Sequence, residues 1–250
     1  MLMPWFSISV KERVMPDPLN LAEYELRARE LLPQMVYDYY AGGANDEITV
    51  RENVHSWAQL RLRPRVLVDV RACDLSTTIL GQAVAMPLIT APCALNALAH
   101  PEGELAVARA TSTAGIIQVL STVSAYSIED VALASTGQRW FQLYCYRDRT
   151  ITAELVRRAE VAGFSALCVT VDVPVPGPRE RDARNQFKVP PHIRVANLTH
   201  LLPDSADGSA PGTGRSRDLT AFLYQRDRGY CRKARKVKLN VAKGNLRREY

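Results

Sequence analysis

Between Met86 and Asp172 four apolar runs alternate with three amphipathic segments, and this rhythm constrains the fold more than any other feature of the chain. MPLITAP, IIQVLS, RWFQLY and ALCVTVD read as strands that are apolar along their length, not on alternate residues, as expected where both faces of a parallel sheet are covered. EGELAVARATSTAG reads as a helix closed by Gly115. SIEDVALAS reads as a helix opened by Ser127, with Glu129 and Asp130 in its first turn, and ITAELVRRAEVAG as one stopped at Gly163. Four β/α units at this spacing predict an α/β protein, either a doubly wound sheet or a (β/α)8 barrel. No GxGxxG follows any strand, which counts against a dinucleotide-binding sheet.

Upstream, residues 21–41 carry Leu21, Tyr24, Leu31, Leu32, Met35, Val36 and Tyr39 at helical spacing, with Pro33 as the expected break. A second helix is predicted from Asp46 to Leu60, capped by Asn45 or Asp46. Residues 65–80 are extended in character and end at the turn-like Gly81. After Asp172 the pattern dissolves. Residues 173–215 are rich in Pro, Gly and Ser, including VPVPGP and DGSAPGTG, and read as a long loop or lid, followed by the short apolar stretch LTAFLYQ.

Charge marks a further boundary. The chain carries a formal +6 overall, but Arg215 to Tyr250 holds twelve Lys/Arg against three Asp/Glu, whereas the residues before it hold 20 against 23. The expected organisation is an N-terminal extension over residues 1–20, a partial barrel over 21–225 with a loop or lid at 173–215, and a basic tail over 226–250 that is expected to be disordered. That tail lacks a binding fold and interleaved aromatics, which counts against nucleic-acid binding. Five isolated cysteines offer no CxxC pair and no Cys/His spacing for a metal. The opening MLMPWFSISVKER lacks a basic segment and a cleavage site, and no window suits a membrane helix, so the expectation is a cytoplasmic protein without a membrane partner.

In parallel β/α folds the site lies at the C-terminal ends of the strands. There the chain places Ala91-Pro92-Cys93-Ala94, then Ser121-Thr122, then Gln142 and Tyr144, then Thr170-Val171-Asp172, with Arg179 shortly after. Hydroxyl, amide, phenol and guanidinium groups on one rim can hydrogen-bond a polar heteroaromatic ring and clamp a carboxylate.

The segments MVYDYYAGGANDEITVREN, DLSTTILG, APCALNALAHPEGE, FQLYCYRDR, RRAEVAGFSALCVTVDVP and RNQFKVPP resemble the FMN-dependent 2-hydroxy acid oxidase/dehydrogenase family, from about Leu21 to about Leu198. The resemblance implies the (β/α)8 TIM-barrel family, represented by the first four β/α units and an N-terminal helical segment. It also implies FMN as cofactor, a small L-2-hydroxy acid of the lactate or glycolate type as substrate, O2 or another electron acceptor, and a homo-oligomer. Residue by residue, Pro92, Cys93 and Ala94 would lie beside the reactive edge of the flavin, and Ser121, Gln142 and Thr170 would hydrogen-bond its ring. Tyr39, Tyr144 and Arg179 would bind the substrate carboxylate and hydroxyl, with Tyr144 also the catalytic candidate. Cys93 stands where many members have Thr, and Val123 where several have an aromatic residue, which would widen the substrate pocket.

The family completes its site with a Lys, a His base and an Asp-Gly-Gly phosphate segment. The chain contains no such strings, and its histidines, His55, His100, His192 and His200, stand in other contexts. His100 reads as a structural cap at the start of the first barrel helix. Loss of a general base removes roughly 10²–10⁴ in rate. Three readings follow: an FMN-dependent oxidation of a 2-hydroxy acid, an inactive truncated or frame-shifted product with the break near Gln225–Arg228, and a nucleic-acid-binding module built on the basic tail.

Overall fold

The computed structural model describes residues 17–171 and 177–199. Three helices lead, α1 (Leu21–Leu31), α2 (Gln34–Ala41) and α3 (Ile48–Gln59). An antiparallel hairpin follows, β1 (Thr77–Ile79) and β2 (Gln82–Val84), turning at Gly81. Then come β3 (Ile89–Thr90), α4 (Gly103–Ala114), β4 (Ile117–Leu120), α5 (Ile128–Ala134), β5 (Arg139–Leu143), α6 (Arg149–Val161), β6 (Ala166–Val169) and α7 (Glu180–Arg184). Strands β3 to β6 form one parallel sheet in sequence order, the β/α alternation that the apolar runs predict.

Local chemistry sets most boundaries. Pro33 cannot continue α1 and becomes the first residue of the next turn, so the long N-terminal helix is two. Gly115 ends α4 at φ +65, and a Cβ there would lie 2.9 Å from that of Ala85, so only glycine fits. Ser127 and Asp130 form a reciprocal capping box on α5. Asp148 caps α6 by accepting from Thr150 N at 2.8 Å. The expected cap of α3 is different: Glu47 occupies that place in a left-handed conformation, φ 55, with no side-chain cap, while Asn45 is itself left-handed. His100 does accept the Glu102 N–H through Nδ1 at 3.2 Å, the structural use expected of it.

The sheet separates two apolar layers. Leu120, Phe141 and Leu143 point to the helices and pack among Ala108, Val131, Leu155 and Ala159. Ile117, Val119 and Trp140 point to the opposite face and meet Val84 of the hairpin. Trp140 Nε1 donates to Gln82 at 3.1 Å and Gln138 to Ala83 O at 2.8 Å, so the hairpin covers the N-terminal end of the strands.

Strands β4 and β5 are covered on both faces, as their apolar runs predict, but the edge strands are not. Among the described residues Leu167 and Val169, on the helix side of β6, are 42 and 39 % exposed, and Ile89 of β3 is 43 % exposed. Regular structure also continues beyond the point where the sequence pattern dissolves: α7 forms, and Val195, Asn197 and Leu198 are buried against the helix layer. Most of the N-terminal extension, residues 200–215 of the predicted loop, LTAFLYQ and the tail 226–250 lie outside the described residues.

Candidate active site

The sheet register sets the rim. Phe141 pairs with Leu120 and with Leu167, so Ser121, Gln142 and Thr170 follow at the C-terminal ends of β4, β5 and β6. They form one hydrogen-bonded row. Ser121 Oγ donates to Gln142 Oε1 at 3.3 Å, and Gln142 Nε2 donates to Thr170 Oγ1 at 2.8 Å. The direction is fixed by the Thr122 backbone N–H, which needs an acceptor and finds Gln142 Oε1 at 3.1 Å. Thr122 adds a hydroxyl bond to Gln142 O and receives Tyr144 N at 3.3 Å. Ser121, Thr122 and Gln142 are buried, and Tyr144 and Thr170 are half-buried at the opening.

Pro92 and Cys93 lie exposed beyond β3, and Ala94 packs partly against the core. Leu95 is held in a left-handed conformation, φ 54, its N–H bonded to Val123 O at 2.9 Å. Val123 itself is buried in the helix-side core beside Leu95, not in an open pocket. Glu104, which sequence reasoning passed over, ties the two rim loops together. Its Oε1 accepts Asn96 N at 3.0 Å and Ala125 N at 3.1 Å, and the residue is buried. The only signal was an acidic residue in the first turn of α4.

Tyr39 and Arg179 meet as expected, from α2 and from the residue that opens α7. The Arg179 guanidinium lies 5.5 Å from the centre of the Tyr39 ring, donates to Tyr39 O and pairs with Asp182. The Tyr39 ring also stacks on Phe187, with centres 4.5 Å apart and planes 4° apart. Phe187 was not anticipated, because no local period marks a contact made across about 150 residues of chain, and Asp182, three residues from Arg179, was passed over as well.

Burial pushes the Tyr39 phenol up to about 12, with Cys93, Asp182 and Tyr144 adding to it and Arg179 opposing. Burial raises Tyr40 and Cys93 likewise, and Cys93 is further raised by Glu104. The Cys93 residue keeps an outer side in solvent while the rim walls desolvate its thiol. At neutral pH these groups are therefore uncharged, and the cation beside them is Arg179. Tyr40 donates its hydroxyl to Leu95 O at 2.6 Å, which links α2 to the β3 loop. The set can hydrogen-bond a flat heteroaromatic edge along the strand ends and meet an anion at Arg179. Among the described residues no cluster of His, Cys, Asp and Glu suits a metal ion, and no helix is long and apolar enough to cross a membrane.

Comparison with known proteins bears on the fold and the family. Glycolate oxidase 3 of Oryza sativa subsp. indica is 50% identical over 182 residues, covering 73% of this chain and 50% of the relative. L-lactate oxidase of Nostoc sp. strain PCC 7120 is 46% identical over 239 residues, covering 92% of this chain and 65% of the relative. The chain thus spans about half the length of most of the curated relatives it matches. A mandelate oxidase solved with 3,3-difluoro-2-hydroxy-3-phenylpropionic acid superposes with a TM-score of 0.68 at 42% identity, over 71% of this chain and 54% of that one. The G81A mutant of an active chimera of (S)-mandelate dehydrogenase gives 0.74 at 40% identity, over 84% and 58%. At this identity the likeness resolves the fold in favour of the (β/α)8 barrel class over a doubly wound sheet. The FMN-dependent dehydrogenase family matches residues 28–238, a span that runs past Gln225–Arg228 and ends within the basic tail. The chain belongs to the FMN-dependent dehydrogenase family.

Proposed function

We propose that this chain carries the ring-binding and carboxylate-binding parts of an FMN-dependent site that oxidises a small L-2-hydroxy acid to the 2-oxo acid. The observation that supports it best is the row Ser121–Gln142–Thr170, ordered in one direction across three strand ends. An isoalloxazine edge presents carbonyl and nitrogen atoms in a plane, and this row fits it. Gln142 spends one amide N–H on Thr170 and has a second, Thr170 brings a hydroxyl, and the small residues Pro92 to Ala94 leave room beside them. FMN, when bound, supplies the two-electron acceptor.

The chain's own groups then divide the work. Arg179, held by Asp182 and by Tyr39 O, meets the substrate carboxylate through its remaining N–H groups. The Tyr39 and Tyr144 phenols, protonated at neutral pH in the case of Tyr39, donate to the carboxylate or hydroxyl oxygens. In relatives carrying glycolate oxidase, L-lactate oxidase and mandelate oxidase activities the substrate is a 2-hydroxy acid by name, which supports that class here. Net reaction removes two hydrogens from the carbinol carbon and oxygen, and O2 or another acceptor takes the electrons.

A second reading has a structural observation of its own: binding without turnover. The described sheet pairs β3 and β6 on one side only and leaves the outer face of β6 exposed. In that reading the chain binds FMN weakly and needs further β/α units to react. Titration of the purified protein with FMN, followed by flavin fluorescence, and assay with L-lactate and glycolate under air separate the two. Turnover supports the first, and binding without peroxide or 2-oxo acid supports the second. No flavin binding by the folded protein overturns both.

A further inference from the structure

The residue pair that meets the substrate comes from segments far apart in sequence, and one buried carboxylate joins them. Asp38 is the neighbour of Tyr39 on α2 and is buried. Its Oδ2 accepts Gln34 Nε2 at 2.8 Å from its own helix and Asn185 Nδ2 at 2.7 Å from just after α7. Its Oδ1 faces Arg181 NH1 at 3.4 Å. Arg181 pairs with Glu47 as well, and Glu47 accepts Gly43 N at 3.0 Å, so the same cation gathers the turn that follows α2. Asn45 N donates to Pro178 O at 2.9 Å, one residue before Arg179.

Around this clasp there is no slack. A Cβ on Gly42 would stand 3.2 Å from Arg181 Cδ, and one on Gly177 would stand 2.6 Å from Ala44 Cβ. The two halves therefore approach at glycine distance on both sides of the Asp38 contacts. By contrast, α2 meets the sheet rim through Tyr40, which donates its hydroxyl to Leu95 O. The Tyr39 and Arg179 pair is thus set against each other chiefly by what holds α2 to α7, and against the strand ends by a separate link.

We propose that Asp38 is a positioning residue for carboxylate recognition: by holding Arg181 and Asn185 it fixes Arg179 over Tyr39 without contributing to the ring-binding row. This rests on the reading that Tyr39 and Arg179 receive a carboxylate. Asp38 and Arg181 act through each other. A small displacement of a clamp residue weakens binding on the order of tenfold or more, because the anion loses aligned donors and the rim is unchanged.

Oxalate is a suitable probe, since it carries carboxylates and has no C–H bond to oxidise. Calorimetric titration of oxalate into FMN-loaded protein is compared for the natural chain, Asp38→Ala, Arg181→Ala and the double variant, with FMN affinity measured in parallel. The expected result is a rise in the oxalate dissociation constant of roughly tenfold in each single variant and no further rise in the double, with FMN affinity within about twofold. Asp38→Asn, which keeps the size and loses the charge, should lie between. If Asp38→Ala does not fold, Arg181→Ala reads the same link from its more exposed partner. Equal oxalate affinity in all variants overturns the proposal and leaves the functional reading standing. A parallel loss of FMN affinity also overturns it, since Asp38 would then serve the whole scaffold. Absence of oxalate binding by the natural chain, with FMN bound, sinks the carboxylate reading and the proposal with it.

Discussion

Gln142 Nε2 donates to Thr170 Oγ1 at 2.8 Å across the ends of β5 and β6, while its Oε1 accepts the Thr122 backbone N–H at 3.1 Å. One amide therefore satisfies a buried main-chain donor and orders the rim. Replacing it with an apolar side chain of similar size leaves that donor buried without a partner. Gln142→Leu should lower stability by about 1–3 kcal/mol, read by denaturant unfolding, and weaken FMN binding in fluorescence titration. Unchanged values in both would show that the row is ornamental.

Tyr39 separates packing from chemistry. Its ring stacks on Phe187 and lies 5.5 Å from the Arg179 guanidinium, and Phe keeps both contacts. Tyr39→Phe should leave the melting temperature within about 2 °C and weaken carboxylate binding. The phenol also predicts an alkaline limit. Its value in the fold, about 12, lies above the ordinary 10.0, so the native state holds the proton more tightly than the unfolded chain. That contribution to stability is fully present below about pH 10 and is lost as pH rises through about 12. Tyr39→Phe should flatten this loss in melts taken between those limits.

Arg158 supplies an acid-side counterpart. It is largely buried, forms two hydrogen bonds to Glu129 at 2.8 and 2.6 Å, and donates to Asn197 O at 3.1 Å. The Arg158 hydrogen bonds hold the Glu129 carboxyl below the usual carboxylate range. Its stability contribution is therefore present above that range and lost as pH falls through the depressed value. Glu129→Gln should destabilise by no more than about 1–2 kcal/mol, because half of Glu129 faces solvent, and should remove this acid-side dependence.

The two faces of the sheet should respond differently to substitution. Phe141 is fully buried between β4, β6 and the helices, and Phe141→Ala should cost about 3–5 kcal/mol. Leu167, on the open helix side of β6, is 42 % exposed. Leu167→Ser should change stability by under about 1 kcal/mol in chemical denaturation. A loss at Leu167 as large as that at Phe141 would mean that this face is covered in solution.

Much of this fold is legible in the sequence because its determinants are local. Pro33, Gly115 and Gly163 stop helices at the residues where they stand, and Ser127 opens one through a bond to Asp130 three residues on. The continuous apolar runs placed four parallel strands, and with them Ser121, Gln142 and Thr170 on one rim. What escaped has no local period. The five-residue α7 is made of charged residues and one alanine and follows Gly177-Pro178, so neither apolar spacing nor length marks it. Phe187 against Tyr39, and Asp38 against Arg181 and Asn185, are pairings across more than 140 residues of chain. The cap of α3 was misplaced because a left-handed Glu47, stabilised by its pair with Arg181, took the position where Asn45 or Asp46 was expected.

Asn197 bears on the order in which the molecule can be made. Its side chain accepts the first N–H of α5 at 2.9 Å and donates to Ser124 Oγ and Thr122 O, all about 70 residues earlier in the chain. The last hydrogen bonds at the start of α5 and at the end of β4 therefore form only with a residue synthesised long after them. Until it arrives, the opening of the site is an unfinished turn. The β4–α5 unit is thus completed by a long-range contact and not by its own residues alone.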